Sequence, residues 1–376
     1  MNKHFKSTVT PVLVILLSLG AVLSASAGER TGMFMAGSIE AGTATAFTAD
    51  GTINNAYFGI VAGDDSAAVS RQNAAAFSNA IAQAAAAGLS EVKVEPDHYY
   101  VDTAHGYYGN VINSRNSIDL VSGMHLSLAG AVFEQIATGE QGYAIFAVKG
   151  CDDVSITGGT LIGDKSSHDY SAVNSTWGNS HEWGLGISVQ GSSNVRAAGL
   201  HISGMIGDGI HVGGSGRLTS GGQVSRNVKI DDCTITDCRR QSISIVGAES
   251  VEIGNCRFAE NAGFDYLVSA TGTANWPGYN IDLESSMDWS VNDIDIHHNQ
   301  FGSSQSSDRD AILVHQRTSN IRIADNQIEG NIAFSFGENV QITDNLINGV
   351  IGFYKTADSD QVMIEGNEGQ MEIWKQ

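Results

Sequence analysis

The sequence predicts an all-β chain that coils into a single-stranded, right-handed parallel β-helix (a solenoid) with a short N-terminal capping helix. One pattern recurs along the chain: two β-branched residues at alternate positions, a bend at a small or Asn/Asp residue, and another apolar residue. Its clearest copies are residues 227–235, 250–258, 293–301, 320–328 and 339–347, and weaker copies are 153–161, 194–202 and 361–367. Strand-like alternation broken by a turn at a recurring interval indicates stacked coils, because one such unit cannot bury its apolar face alone.

The repeat also sets a register that can be checked. The residue five positions after the first Val or Ile of a copy is Cys233, Cys256, Asn299, Asn326, Asn345 or Asn367. Stacked coils predict a column of like side chains at a spacing of ~4.8 Å. Side chains in a parallel stack point the same way, so we expect buried thiols at Cys233 and Cys256, with a disulfide as the alternative.

A further short strand follows the repeat in most coils. These strands, here called the groove strands, are residues 186–189, 209–212, 242–245, 280–283 and 311–314. Each has an isoleucine at its second position, and alignment on these isoleucines sets which side chains face outward. The crossovers between parallel strands predict a right-handed coil.

The first 27 residues have the features of a secretory signal peptide. Lys3 and Lys6 precede an apolar run at residues 12–23, and Ala25-Ser26-Ala27 provides a small-residue cleavage site. The run is too short for a membrane span, so a membrane anchor is the less favoured alternative, and we expect a secreted or periplasmic protein with no membrane insertion after cleavage.

The charge excludes one class of partner. The formal net charge is -21, and removal of Lys3 and Lys6 changes it to -21 - 2 = -23. So acidic a chain repels polyanions, and no nucleic-acid partner is expected.

The repeats run nearly to the C-terminus, so residues 62–376 are predicted to form one β-helix domain after a loosely held lead-in at residues 28–61. Residues 73–87 read as a short amphipathic helix, and residues 91–96 and 98–101 as strands. A helix at this position would cover the open end of the solenoid.

This entry segment resembles that of the pectate-lyase-like right-handed parallel β-helix superfamily. The resemblance rests on Asp64-Asp65, the Ala-rich helix, Val92, Val94, Pro96, Tyr100 and Asp102. The superfamily includes polysaccharide lyases, polygalacturonase-like hydrolases, epimerases and phage depolymerases, so the resemblance implies the fold and a polysaccharide substrate but not the mechanism. The Asn-Thr-Asp, Asp-Asp, Gly-His-Gly and Arg-Ile-Lys motifs of the polygalacturonase-like enzymes are absent as a set, and Gly207-Asp208-Gly209 is a fragment of it at best.

Alignment of the groove strands gathers ionisable residues on one wall: Asp208, His211, Arg239, Arg240, Asp282, Glu284 and His315. Inserts between coils add aromatic side chains beside this wall: Trp177, Trp183, Tyr266, Trp276 and Tyr279. Aromatic rims beside a polar groove suit the apolar faces of sugar rings, so the predicted partner is a polysaccharide.

Hydrolysis by paired carboxylates is the favoured chemistry. Asp282 or Glu284 would be the general acid and Asp208 the base, and His211, the fourth residue of this catalytic group, would orient the substrate together with the arginines. Asp208 and Asp282 would lie two coils apart, ~9.6 Å, which fits an inverting pair. Predicted substrate-binding residues are Arg239, Arg240, His181, Glu182, Trp183, Trp276 and His315.

Other interpretations stay open. In a uronate lyase or C5-epimerase, Arg239 and Arg240 or a bound calcium would neutralise the substrate carboxylate while His211 or His315 removes a proton. The sequence predicts no specific metal ligands, and calcium is the one cofactor that the lyase interpretation allows. From another class, the chain could be a non-catalytic carbohydrate-binding solenoid. Asp208 could then be a turn residue and Asp282 and Glu284 a solvated strand face neutralised by the arginines.

Overall fold

The fold is a parallel β-helix, seen in a computed structural model that describes residues 45–104, 116–172, 181–259, 261, 278–302, 310–315, 317–354 and 359–375. Its strands stack in three parallel columns, one strand of each column per turn. The first column contains Glu91–Lys93 (β1), His125–Ser127 (β4), Asp152–Thr157 (β7), Ser193–Ala198 (β10), Ser225–Asp231 (β13), Ala248–Gly254 (β16), Val291–His297 (β19), Thr318–Ala324 (β22), Glu338–Thr343 (β25) and Val362–Glu365 (β27).

The other two columns form one 18-stranded sheet because β26 belongs to both. The middle column contains His98–Val101 (β2), Val132–Gln135 (β5), Thr160–Ile162 (β8), His201–Ser203 (β11), Thr234–Thr236 (β14), Arg257–Ala259 (β17), Gln300–Phe301 (β20), Gln327–Glu329 (β23) and Leu346–Phe353 (β26). The third column contains Ile118–Asp119 (β3), Gly142–Lys149 (β6), Trp183–Gln190 (β9), Ile210–Gly213 (β12), Ile243–Ile245 (β15), Ile281–Leu283 (β18), Asp310–Val314 (β21), Asn331–Phe334 (β24) and, after β26, Met371–Lys375 (β28).

The bend inside each repeat separates the first column from the middle column. Asp232, Asn255, Asp325 and Asp344 all have φ between 52° and 58° at this bend. Asn and Asp adopt this left-handed conformation at a lower cost than most other residues with a side chain, which explains why the repeat places them there. The sequence pattern predicted two strands per coil with a bend in the first, and the structure resolves that bend into a boundary between two sheets.

The column of like residues is confirmed. Asn299, Asn326, Asn345 and Asn367 stack in successive coils, and the side-chain oxygen of each of the last three accepts the main-chain N–H of the one before at 2.9–3.0 Å. The side-chain nitrogen of Asn326 also donates to the Ile296 carbonyl oxygen at 2.9 Å. The ladder therefore satisfies the main-chain groups that each bend leaves unpaired inside the coil.

Cysteines continue this column toward the N-terminus. The Asn299 side chain accepts the main-chain N–H of Cys256, and the Cys256 sulfur lies 3.4 Å from the main-chain nitrogen of Cys233. Both are free thiols, and so are Cys151 and Cys238. The expectation of buried thiols is confirmed.

Two helices precede the coils: Asn55–Phe58 (α1) and Ala67–Ala86 (α2). Helix α2 begins six residues before the predicted helix, and its Phe77 ring packs edge-on against Tyr99 and Phe133 of the first coils. The described part of the lead-in is not loosely held: Ile53 is fully buried, and its main-chain N–H donates to the Lys93 carbonyl. Residues 1–44, including the predicted signal peptide, lie outside the described residues. No helix in the described part of the chain is long and apolar enough to span a membrane.

Replacement of Asn326 by Ala tests the asparagine ladder. The change leaves the Ile296 carbonyl and the Asn299 main-chain N–H buried without their partners, so the free energy of unfolding should fall by on the order of 3 kcal/mol. Chemical denaturation followed by circular dichroism measures this. Gln327→Ala, at the exposed next position, is the matched control. A midpoint for Asn326→Ala equal to that of the control would contradict the structural role of the ladder.

Candidate active site on the third strand column

The predicted alignment of the groove strands is confirmed, and these strands form the third column. Ile187, Ile210, Ile243, Ile281 and Ile312 are register partners in consecutive coils. One outward row therefore contains Ser188, His211, Ser244, Asp282 and Leu313. All five are nevertheless less than 9% exposed. The predicted wall exists, but most of its polar groups are enclosed and depend on one another for partners.

The carboxylate of Asp208 is enclosed by the polar residues of this wall. Its carboxylate accepts hydrogen bonds from the Ser244 hydroxyl and the Gln241 main-chain N–H, and its Oδ2 lies 3.7 Å from Arg240 Nη1 and 3.9 Å from His211 Nδ1. Burial alone would raise the pKa of Asp208, but the charge of Arg240 and the contact with His211 hold it below its ordinary value. A buried, ionised and fully partnered carboxylate orients its neighbours, which argues against the predicted role of Asp208 as the base that activates water.

Arg240 connects Asp208 to the mouth of the site. Its Nε lies 3.7 Å from Glu182 Oε2, and its guanidinium lies 5.4 Å from the centre of the Trp183 ring. Burial would lower the pKa of Arg240, but Asp208 and Glu182 raise it, so the cation persists. Glu182 and Trp183 are partly exposed and are in place to contact a ligand.

Two predicted substrate-binding residues point into the protein instead. His181 is fully buried and Arg239 is 3% exposed. Arg239 Nη1 donates to the carbonyl oxygens of His181 and Ile206, and its guanidinium lies 5.1 Å from the centre of the Tyr170 ring. Neither side chain reaches solvent, so their placement lends no support to a substrate-binding role of His181 and Arg239, which stays a prediction. Both hold the segment that presents Glu182 and Trp183.

His181 also ends a buried hydrogen-bonded chain that the sequence analysis missed. Asp164 Oδ2 lies 2.7 Å from His168 Nδ1, and His168 Nε2 lies 2.9 Å from His181 Nδ1. Gln141 Nε2 donates to His181 Nε2 at 3.0 Å, which completes a chain of two imidazoles ending on a carboxylate. Burial and the neighbouring His168 lower the pKa of His181 to about 4. His181 itself has φ of 48°, so this network stabilises an unfavourable backbone conformation.

The second cluster of the wall joins Asp282, Glu284 and His315. One ligand atom from each lies within 4.8 Å of the others, so the three could also hold a metal ion. Asp282 Oδ2 accepts a hydrogen bond from Gln241 Nε2 at 3.1 Å, while its Oδ1 is buried without a hydrogen-bond partner among the described residues. Burial, and then the charge of Glu284, raise the pKa of Asp282 well above its ordinary value.

Glu284 and His315 form the partly exposed side of this cluster. The Glu284 main-chain N–H donates to the Ile245 carbonyl and the His315 main-chain N–H to the Leu283 carbonyl, so the ladder between coils fixes both backbones. His315 Nδ1 lies 2.9 Å from the Ser335 hydroxyl, and burial lowers the pKa of His315. Asp282, Glu284 and His315 are here called the acidic triad.

Column alignment could have found two more contributors, because Gln241 and Ser244 occupy the positions of Asp208 and His211 one coil later. Asp164 and His168 could not have been found this way, since they lie in an insert without a register. Trp276 lies outside the described residues, so its predicted role stays a prediction, and the same applies to Trp177 and Tyr266.

Acid titration tests the buried imidazole chain. The pKa of His181 is about 4 in the fold and 6.5 ordinarily, so the unfolded chain takes up the proton first and stability should fall as the pH drops through this interval. His181→Asn, which suits the positive φ, should lose less thermal stability than wild type between about pH 7 and about pH 4.5. Thermal melts measure this, with His125→Asn as control. Equal acid sensitivity of wild type and His181→Asn would contradict the assignment.

Known proteins resemble this chain mainly in architecture. A family profile described as right handed beta helix region matches residues 185–368. The SPbeta prophage-derived uncharacterized protein YorA of Bacillus subtilis (strain 168) is 33% identical over 196 residues, which are 50% of this chain and 32% of YorA. The uncharacterized protein YclG of the same organism is 30% identical over 214 residues, which are 55% of this chain and 34% of YclG. The chain thus spans about a third of the length of these curated relatives.

Among solved structures, an exopolygalacturonase from Thermotoga maritima aligns with 84% of this chain and 75% of its own, with a TM-score of 0.55 and 14% identity. Identity this low shows a shared fold alone. The strand topology and these matches together show a parallel β-helix fold, of the kind that the matched profile describes as right handed.

Proposed function

We propose that this protein is a secreted or periplasmic enzyme that hydrolyses glycosidic bonds of a polysaccharide at the acidic triad. The observation that carries the proposal is the convergence of two carboxyl groups and one imidazole within 4.8 Å, with Asp282 Oδ1 buried and without a hydrogen-bond partner among the described residues. A buried carboxyl oxygen without a partner costs free energy that a purely structural site would avoid.

Glycoside hydrolysis needs one protonated and one ionised carboxyl group. The enclosed position of Asp282 beside Glu284 favours the protonated form of Asp282, which makes it the general acid. Glu284 is partly exposed and is the group that attacks the sugar or activates water. The separation of the two carboxyl groups resembles the roughly 5–5.5 Å of a retaining pair more than the wide separation of an inverting pair.

The rest of the wall suits a sugar polymer. Arg240 lies between the ionised Asp208 and Glu182 and beside the Trp183 ring, which can stack on a sugar face. The exopolygalacturonase named above acts, by its name, on a polysaccharide, and the shared fold supports the same substrate class for this chain. Residues 1–27, with the features of a signal peptide, support export.

A second candidate is cleavage of a uronate polymer by β-elimination. The Arg240 cation and the contact between Asp208 and His211 favour it, because a cation can neutralise a uronate carboxylate and an imidazole can remove the adjacent proton. Elimination leaves an unsaturated product that absorbs in the near ultraviolet, whereas hydrolysis does not. One assay that reads reducing ends and ultraviolet absorbance together separates the two reactions.

Asp282→Asn and Glu284→Gln test the hydrolase directly. Each should lower product formation by on the order of 10²–10⁴-fold, because each removes one proton-transfer group. The measurement is release of reducing ends from a panel of neutral and uronic glycans. Asp295→Asn and Glu249→Gln, which are exposed carboxylates of the same types in surface ion pairs, are the controls. Wild-type rates in both site variants would place catalysis elsewhere or exclude it.

Asp208→Asn separates positioning from base catalysis. The change leaves the largely enclosed Arg240 without one of its two charged partners, so the free energy of unfolding should fall by about 3 kcal/mol or more. Activity per folded molecule should fall less than in Asp282→Asn. Denaturation and kinetics on the same preparations measure both quantities. A fully folded Asp208→Asn protein as inactive as Asp282→Asn would restore Asp208 as a catalytic base.

A further inference from the structure

We infer that the acidic triad is a binding site for a divalent transition-metal ion of the zinc type, and that the bound ion switches off the proposed hydrolase. The first part concerns binding alone, and the second rests on the proposed function. The inference starts from how the neighbours of Asp282 and His315 orient their ligand atoms.

Asp282 offers one oxygen and keeps the other occupied. Gln241 Nε2 donates to Oδ2 at 3.1 Å, which fixes the carboxyl group. Asp282 as a whole is 2% exposed, and its Oδ1 accepts no hydrogen bond within the described chain. A carboxylate that is fixed by a hydrogen bond to one oxygen, in a residue that contributes a ligand-type atom to a cluster, is the arrangement found around bound metals. Asp282 Oδ1 is the observation that points to a ligand independently of the cluster itself.

His315 is oriented in the same manner. Its Nδ1 contacts the Ser335 hydroxyl at 2.9 Å, and the Ser335 main-chain N–H donates to the Val314 carbonyl at 3.0 Å. If the imidazole donates from Nδ1 to this hydroxyl, the lone pair is on Nε2, which is the tautomer a metal requires. One imidazole nitrogen and two carboxylate oxygens then make a three-ligand set with an open fourth position.

The ligand chemistry selects the ion. Zinc accepts nitrogen and oxygen ligands at roughly 2.0–2.2 Å in a tetrahedron, so its ligand atoms lie roughly 3.3 Å apart. The triad atoms lie within 4.8 Å of one another and would have to close by about 1.5 Å at most. Glu284 and His315 are partly exposed and can make this movement by side-chain rotation. Calcium instead prefers about six to eight oxygen ligands, which this set does not offer.

A bound ion would stop hydrolysis because it would occupy the groups that the reaction needs. The carboxyl oxygens of Asp282 and Glu284 that bind the ion would no longer be available to the leaving oxygen of the sugar or to water. Removal of the metal would free both groups and restore activity.

Calorimetric titration of the chelator-treated full-length mature chain with Zn²⁺, and separately with Ca²⁺, tests the binding. We expect one Zn²⁺ site per chain, at least tenfold weaker Ca²⁺ binding, and an increase in melting temperature with Zn²⁺. His315→Asn and Glu284→Gln should each weaken Zn²⁺ binding by at least tenfold. Melting curves in chelator show that both variants are folded before titration.

The matched control is the adjacent pair His297 and His298, of which His297 is partly buried and His298 is exposed. Their Nδ1 atoms lie 2.9 Å apart, and His297 Nε2 lies 3.3 Å from Glu252 Oε1, so this pair could collect zinc adventitiously. His297→Asn/His298→Asn should retain the site. Loss of the Zn²⁺ site in this control with its retention in His315→Asn would overturn the inference, and so would absence of Zn²⁺ binding by wild type.

Different outcomes would overturn the zinc-binding inference and the proposed hydrolase function. Zn²⁺ should inhibit glycan cleavage by wild type, with recovery in excess chelator, whereas inhibition that persists unchanged in His315→Asn overturns the switching role. Zn²⁺ binding at the triad without cleavage of any glycan would overturn the proposed function and leave the binding site in place. Glycan cleavage that requires Zn²⁺ would overturn the inhibitory role and the metal-free acid mechanism together.

Discussion

Everything in this protein depends on parallel pairing in an unshifted register from one coil to the next. In the third column, Ile210, Ile243, Ile281 and Ile312 are partners without a slip, so His211 and Leu313, 102 positions apart in the chain, occupy one outward row. A slip of one residue would turn the whole row inward, because strand side chains alternate. The asparagine ladder protects the register, since each side chain pairs with the main chain of its neighbouring coil.

Burial places a second constraint on the polar side chains of the third column, because buried charges need partners. Asp208, Arg240 and Glu182 satisfy it as an alternating sequence of charges. The acidic triad does not, because Asp282 Oδ1 lacks a hydrogen-bond partner in the described chain and Glu284 adds like charge beside it. The contrast separates the part of the wall that orients from the part that can react or bind a cation.

The fold could be predicted closely because it is periodic. The strand His98–Val101, the ladder from Cys233 to Asn367 and the isoleucine row all follow from spacing alone. Burial could not be predicted in the same way. Spacing alone does not show which outward side chains other segments cover. His181 and Arg239 are enclosed by residues such as Tyr170, from an insert that has no repeat to align. The pairing of Asp164 with His168 was missed for the same reason.

The cover that helix α2 provides at the first coils affects how local unfolding spreads through the solenoid. Helix α2 packs on the first coils, whereas in the last described strand Ile373 and Trp374 are 50% and 45% exposed. In a stack held by nearest-neighbour contacts, a local loss of structure spreads through adjacent coils. A disturbance that starts in the coils after His315 therefore reaches the acidic triad before it reaches Asp208 and Arg240. The durability of the reactive part then depends on turns that are remote in sequence from most of the residues they support.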